Sequence, residues 1–183
     1  TEGITVIDTE AMPAPLAPTE EPPIASKYRM LRYAVQKFLE RIHMERVVIG
    51  ISGGIDSAVA AALYVDAIGA ENVLLVNMPS QFNSATTKGL AAQLAENLGC
   101  RHMIVPIEES VAHTVAQLTD SPIMGKCAAK GEHLTISSFV RENMQARDRS
   151  GRILSAVAAA WGAGFTCNAN KAESTVGYAC LLY

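Results

Sequence analysis

The residues best suited to chemistry form a short loop, here called the glycine loop, with the sequence Ser52-Gly53-Gly54-Ile55-Asp56-Ser57. The apolar run 47–51 precedes this loop and an alanine-rich stretch follows it, which predicts a buried strand leading into a helix. Free backbone N–H groups and the helix dipole favour an anion at such a helix start. The two glycines allow close backbone approach to oxygen atoms. The loop therefore indicates a phosphate site, the alternative being a plain turn between strand and helix.

Asp56 is the unexpected member of the glycine loop, because a carboxylate repels phosphate. Its presence is understandable if it holds a Mg²⁺ ion that bridges the phosphates. The chain contains neither the Walker A pattern nor the Gly-x-Gly-x-x-Gly dinucleotide fingerprint. These absences separate the glycine loop from the two commonest nucleotide-binding loops.

Strand and helix patterns alternate along the chain after residue 26. The predicted strands are 47–51, 73–76, 103–105 and 163–167, and the predicted helices are about 27–43, 58–68, 86–98, 111–118 and 138–161. Ser26 is expected to cap the first helix, and a last helix is expected from Ala172 onward. This alternation predicts an α/β fold with a doubly wound parallel sheet, in which ligands bind beyond the carboxyl ends of the strands.

Composition divides the chain into two parts. Residues 1–25 hold five of the eight prolines and no Lys or Arg, which predicts an acidic, proline-rich linker or arm. Residues 26–183 form the expected domain, and the apolar run at the end of the chain suggests that the domain is incomplete at its C-terminus.

The overall balance of residues excludes several classes of protein. A net charge of -3 argues against a nucleic-acid partner, and no apolar run is long enough to cross a membrane. The four cysteines form no Cys-x-x-Cys pair, so we expect buried, reduced thiols in a cytoplasmic protein. Trp161 and Phe165 are expected in the core.

The glycine loop resembles the pyrophosphate loop of the N-type ATP pyrophosphatases, which cleave ATP between its α and β phosphates. Three further segments follow in order, namely Met78 to Ser84, Glu142 to Arg147, and Asn168 to Glu173 with Val176-Gly177-Tyr178 after it. With the loop, they make residues 27–183 similar to NAD synthetases, most of all the glutamine-dependent branch. The resemblance implies a Rossmann-like fold of the adenine nucleotide alpha hydrolase type.

The resemblance also implies roles for particular residues. ATP would be bound by Gly50, Ile51, Ser52, Gly53, Gly54, Ile55, Asp56, Ser57 and Asn168. Asp56 and Glu173 would be the catalytic residues and the Mg²⁺ ligands. Asn143, Arg147 and Glu173 would contact the dinucleotide substrate. Asn168 lies where the family usually has Thr. The alternatives without a functional role are a solvent-exposed helix face for Arg147 and a favourable interaction with the helix dipole for Glu173.

The implied reaction is the ATP-dependent amidation of nicotinic acid adenine dinucleotide (deamido-NAD) to NAD, with ammonia as the nitrogen donor. A glutaminase domain, fused or separate, would supply the ammonia, and a homodimer or higher homo-oligomer is expected. Two alternatives stay open at this point. One is another N-type ATP pyrophosphatase such as a GMP synthetase, and the other is a non-catalytic ATP-binding fragment.

Overall fold

The computed structural model of the chain describes residues 22–80, 85–169 and 175. Its helices are α1 (Pro23–Arg41), α2 (Ile55–Ile68), α3 (Ala85–Leu98), α4 (Glu108–Asp120), α5 (Ser138–Arg147) and α6 (Ser155–Trp161). Its strands are β1 (Val47–Ile51), β2 (Val73–Asn77), β3 (Arg101–Ile104) and β4 (Gly164–Phe165). A 3-10 turn, Ala70–Asn72, precedes β2, and a π-helix, Asp148–Leu154, joins α5 to α6 without a break.

The four strands form one parallel sheet in the order β3-β2-β1-β4. Val47 of β1 pairs with Val73 on one side and with Gly164 on the other, so the carboxyl ends share one edge. The chain moves outward from β1 to β3 and then crosses back to place β4 on the opposite side of β1. This reversal is the topological switch point of a doubly wound sheet, where ligands of such folds bind. The predicted fold class is confirmed.

Apolar side chains cover both faces of the sheet. One cluster of buried residues comprises Leu39, Val47, Ile49, Ile51, Ala61, Val73, Leu75, Ala91 and Ala95. The second comprises Val48, Val76, Met78, Ile107, Ile153, Leu154 and Ala158. Successive residues of β1 enter opposite clusters, which explains why this strand is apolar throughout instead of alternating. Helices α1, α2 and α3 therefore cover one face, while α4, the π-helix and α6 cover the other.

The first helix and the last strand differ from their predictions. Helix α1 begins at Pro23, so Ser26 lies inside the helix and the predicted cap is wrong. Proline suits the first helical position, because its fixed φ is already helical and its missing N–H is not needed there. Strand β4 is only two residues long, and Phe165 at this sheet edge is 43% exposed, so its predicted core position is also wrong.

The cysteines are less buried than the composition suggested. Cys127 and Cys167 are exposed, which corrects the prediction of buried thiols at those positions. Cys100 is partly buried, and this burial raises the pKa of its thiol. Within 22–80 and 85–169, no helix is both long enough and apolar enough to span a bilayer.

A cluster of aromatic and cationic side chains closes the amino-terminal end of the sheet. The guanidinium of Arg46, just before β1, lies 5.4 Å from the ring centroid of Trp161, and that of Arg101 in β3 lies 5.8 Å away. Arg46 also donates a hydrogen bond to the Trp161 carbonyl oxygen at 3.3 Å. Arg101 donates to the carbonyl oxygen of Glu71, immediately ahead of β2. Trp161 therefore ties together the starts of strands that are not sequence neighbours.

Replacing this tryptophan tests the closure. Trp161→Ala is expected to lower the free energy of unfolding by about 2–3 kcal/mol, through lost packing and lost cation–π contacts. Phe139→Ala is the aromatic control, because Phe139 is 64% exposed and its removal should cost no more than about 0.5 kcal/mol. Urea unfolding of both variants measures the difference. Equal stabilities would show that Trp161 does not hold this end of the sheet.

Candidate functional site

The glycine loop connects β1 to α2 and is held by its own two serines. The Ser52 N–H donates to Ser57 Oγ at 3.3 Å, and the Gly54 N–H donates to Ser52 Oγ at 3.2 Å. Ser57 Oγ in turn donates to the Gly54 carbonyl oxygen at 3.0 Å. Ser57 is only 6% exposed, so the second serine works as an internal brace of the loop. The loop thus has a fixed shape before any ligand binds.

The two glycines of the loop serve different purposes. Gly53 has φ = 85°, in the left-handed region that side chains disfavour. Gly54 has an ordinary φ of -91° and is the residue before the first turn of α2. A methyl group at Gly54 would lie 3.2 Å from Ser52 Oγ, the atom that accepts the Gly54 N–H. Both glycines therefore allow a tight backbone turn at the start of α2. The first N–H groups there have no hydrogen-bond partner within the helix.

The absent side chain of Gly50 has a packing explanation. A methyl group there would lie 3.1 Å from both Leu154 Cδ1 and Met78 Cε. The face of β1 at Gly50 is therefore occupied by the π-helix and by the residue that follows β2. This contact fixes the strand that carries the glycine loop, and a role of Gly50 in ATP binding stays a prediction.

An open cavity of about 320 Å³ lies beside the start of α2, at the switch point of the sheet. It is lined by Ile55, Asp56, Val59, Ala60, Asn168 and Ala169. The glycine loop and the segment after β4 are far apart in sequence, yet the cavity brings Asp56 and Asn168 together. Ile55 and Val59 give it an apolar wall, being 74% and 57% exposed. An apolar wall beside a helix start that favours anions suits a nucleotide better than a bare phosphate.

The predicted substrate residues on α5 lie apart from this cavity. Asn143 and Arg147 are four residues apart on α5, hence on the same side of the helix. The Asn143 amide donates to the Phe139 carbonyl oxygen at 2.9 Å, and the Arg147 side chain is exposed. Neither residue lines the cavity beside α2. Glu173 lies outside the described residues, as does the motif segment 81–84.

Buried polar side chains mark the carboxyl end of the sheet. Among the described residues, Ser57, Asn77 and Ser80 lie at this end and are 3–6% exposed, as is Gln145 on α5. Asn77 ends β2 and pairs with Ile51, directly before the glycine loop. Sequence reasoning missed Asn77 as a candidate and named Ser80 only as part of the motif segment Met78 to Ser84. The sequence does contain a signal for Asn77, because this polar residue directly follows the apolar run 73–76.

Asp148, the residue that follows α5, is the centre of an ionic network. Asp148 accepts hydrogen bonds from Arg152, at 2.5 and 2.7 Å, and from Ser110 at 2.9 Å. The Arg152 hydrogen bond is the main reason why the pKa of the Asp148 carboxyl is lowered, against the opposing effect of burial. Asp148 therefore stays ionised and acts as a structural anion.

No group of three or more His, Cys, Asp or Glu side chains within the described part of the chain could enclose a metal ion.

Comparisons with known proteins agree on one family. The family model for NAD synthase matches residues 27–182. The glutamine-dependent NAD(+) synthetase of Rhodobacter capsulatus is 37% identical over 177 residues, covering 96% of this chain and 30% of the relative. That of Synechocystis is 34% identical over 173 residues, covering 92% of this chain and 27% of the relative. The chain thus spans less than a third of the length of these relatives.

Two solved structures that resemble this chain are also NAD synthetases. A glutamine-dependent NAD+ synthetase from Acinetobacter baumannii, in complex with ADP, superposes with a TM-score of 0.75 at 31% identity. The match covers 94% of this chain and 31% of that one. An NH3-dependent NAD synthetase from Campylobacter jejuni shares the fold, with a TM-score of 0.71 at 24% identity, and covers 86% of this chain and 62% of that one.

The conformation of Gly53 leads to a test of the loop. Gly53→Ala forces a side chain into the left-handed region, at a cost of about 1–2 kcal/mol, and the loop is expected to relax away from its present shape. ATP affinity, measured by calorimetry, should fall at least tenfold. The matched control is Gly89→Ala on α3, where an added methyl group meets nothing within 4 Å. Unchanged ATP affinity in Gly53→Ala would contradict the phosphate role of the loop.

Proposed function

Because the chain belongs to the NAD synthase family, we propose that it is the ATP-cleaving part of an enzyme that amidates deamido-NAD to NAD. The relatives it matches are named for glutamine-dependent NAD(+) synthesis, and one solved neighbour holds ADP. The observation that carries the proposal is the cavity at the switch point. It places Asp56 of the glycine loop and Asn168, from the segment after β4, on the walls of one space.

The first proposed step is adenylation of the substrate. A carboxylate oxygen of the nicotinate group attacks the α-phosphorus of ATP, the bond from that phosphorus to the bridging oxygen breaks, and pyrophosphate leaves. The N–H groups at the start of α2 face the departing anion and stabilise its growing charge. Ser52 and Ser57 keep those donors in place. The protein thus contributes position and charge instead of acid–base groups.

The second proposed step is amidation. Ammonia attacks the carbonyl carbon of the acyl adenylate, AMP leaves with the electrons of the broken C–O bond, and the nitrogen loses a proton to give the amide of NAD. We infer that the ammonia comes from glutamine through a glutaminase domain, as the names of the relatives suggest. A homodimer or higher homo-oligomer remains part of the proposal on family grounds.

A magnesium ion fits the residues at the cavity. Asp56 offers an exposed carboxylate in the first turn of α2, beside the backbone N–H groups that would take the phosphates. Carboxylate and phosphate oxygens together form the usual Mg²⁺ environment. Asp56, with Glu173 as the second proposed ligand, would hold the ion. When bound, it neutralises charge on the phosphates of ATP.

The reaction itself is the first test. A protein that carries this chain is expected to release pyrophosphate and AMP from ATP and ammonium only when deamido-NAD is present, with an equal amount of NAD formed. Xanthosine monophosphate and nicotinic acid mononucleotide serve as competing acceptors. Pyrophosphate release that follows either of these acceptors instead of deamido-NAD would contradict the proposed substrate, and ATP binding without release would contradict catalysis.

Asp56 can be tested separately from the fold. Asp56→Asn is expected to lower kcat at least 100-fold at fixed Mg²⁺, because the amide keeps the shape but loses the charge that attracts the ion. The control is Asp66→Asn on the same helix, where the aspartate makes a half-exposed ion pair with Arg32 at 3.3 Å. That variant should keep full turnover. Loss of activity in both variants would point to damage of α2 instead of a metal role.

A further inference from the structure

The connection between α5 and α6 is unusual. The sequence pattern predicts one long helix over 138–161, and the chain is helical throughout, but residues Asp148–Leu154 form a π-helix. A π-turn inserts an extra residue, which changes the direction of the side chains before and after it. Such turns are rare and occur often at functional sites.

Both ends of the π-helix contact the carboxyl end of the central strands. At its start, Arg149 Nε donates to the Met78 carbonyl oxygen at 3.3 Å, across 71 positions in sequence. At its end, Leu154 packs where a side chain of Gly50 would stand, beside Met78. Gly50 comes two residues before the glycine loop. The π-helix therefore rests on the last residues of β1 and on the residue that follows β2.

Helix α5, which runs directly into the π-helix, carries the residues proposed to bind the dinucleotide. Arg147 is two residues before Arg149, and Asn143 is one turn before Arg147. At the other end of α5, Arg141 forms a half-buried ion pair with Glu108 at 2.9 Å, which anchors α5 to the start of α4. The Arg141 ion pair and the Arg149 hydrogen bond thus lie on either side of Asn143 and Arg147 in the chain. The Arg149 contact joins this stretch directly to the residue that follows β2.

We propose that Arg149 is a positioning residue that couples the two substrate sites, so that binding of ATP favours binding of the dinucleotide and the reverse. The inference rests on the proposed function. A hydrogen bond from a guanidinium to a backbone carbonyl is directional, so it restrains the start of the π-helix relative to the residue that follows β2. Any shift of this strand edge when ATP binds is then passed through the Arg149 contact to Asn143 and Arg147.

The coupling is measurable without turnover. The dissociation constant of α,β-methylene-ATP is measured by calorimetry with and without saturating deamido-NAD, and then with the two ligands exchanged. Since coupling is reciprocal, both experiments should give the same factor, about 5–150-fold for the unmodified chain. Arg149→Met keeps the length and apolar stem of the side chain and removes its donors. It is expected to reduce the factor to less than about twofold, with a lower kcat.

Two further variants separate positioning from simple stabilisation. Arg152→Met removes the neighbouring arginine, whose guanidinium bonds Asp148 and Ser110 and neither strand end. Its coupling factor should stay within about twofold of the unmodified chain. Arg149→Lys restores one donor at a shorter reach and is expected to recover part of the coupling. A merely structural arginine would change the unfolding free energy and leave the coupling factor unchanged.

The outcomes distinguish this inference from the proposed function. If the unmodified chain releases pyrophosphate only with deamido-NAD and Arg149→Met keeps the full coupling factor, positioning by Arg149 is overturned and the function stands. The same conclusion follows if the unmodified chain shows no coupling. If the dinucleotide neither binds nor stimulates release, both proposals fail. Equal loss of coupling in Arg149→Met and Arg152→Met would also overturn the inference, because the effect would then belong to the π-helix as a whole.

Discussion

The position of the site follows from the burial of the sheet on both faces. Two apolar clusters cover the strands, so a polar ligand has no access to the sheet except at its edges. At the carboxyl edge, the starts of helices present N–H groups without partners, and phosphate can accept from them. The described side chains that are polar and yet buried gather around this edge, as Ser57, Asn77 and Ser80 show. The topology and burial of the sheet therefore restrict a nucleotide to this edge, whatever the individual residues there.

Close packing against backbone accounts for the glycines around β1. Gly50 makes room for Leu154 and Met78, and Gly53 takes a φ of 85°. These are different reasons at positions three residues apart, one steric and one conformational. Ser57 adds a third device, a buried hydroxyl that fixes the loop from within. Together they fix the loop in one conformation, which limits the entropy that binding must remove.

The sequence predicted the alternation of strands and helices because period and composition are local properties. The run 47–51 and the loop after it were placed correctly, and so was the continuous helix over 138–161. The π-turn was not predictable, since it depends on contacts with Met78 and Gly50 that are distant in sequence. The exposure of Phe165 was missed for a related reason, because β4 is short and lies at the sheet edge. Asn168 was named through family resemblance alone, and the fold then placed it beside Asp56.

The two layers of helices carry the two proposed binding sites, one for ATP and one for the dinucleotide. Helix α2 packs with the cluster on one face through Ala61, and the π-helix packs with the other cluster through Ile153 and Leu154. A nucleotide held at the start of α2 and a dinucleotide held along α5 would therefore approach the sheet edge from opposite layers. Strand β1 contacts both layers, so the proposed reacting groups would meet near its carboxyl end. The proposed adenylation requires such a meeting, so it depends on how the two layers are positioned relative to β1.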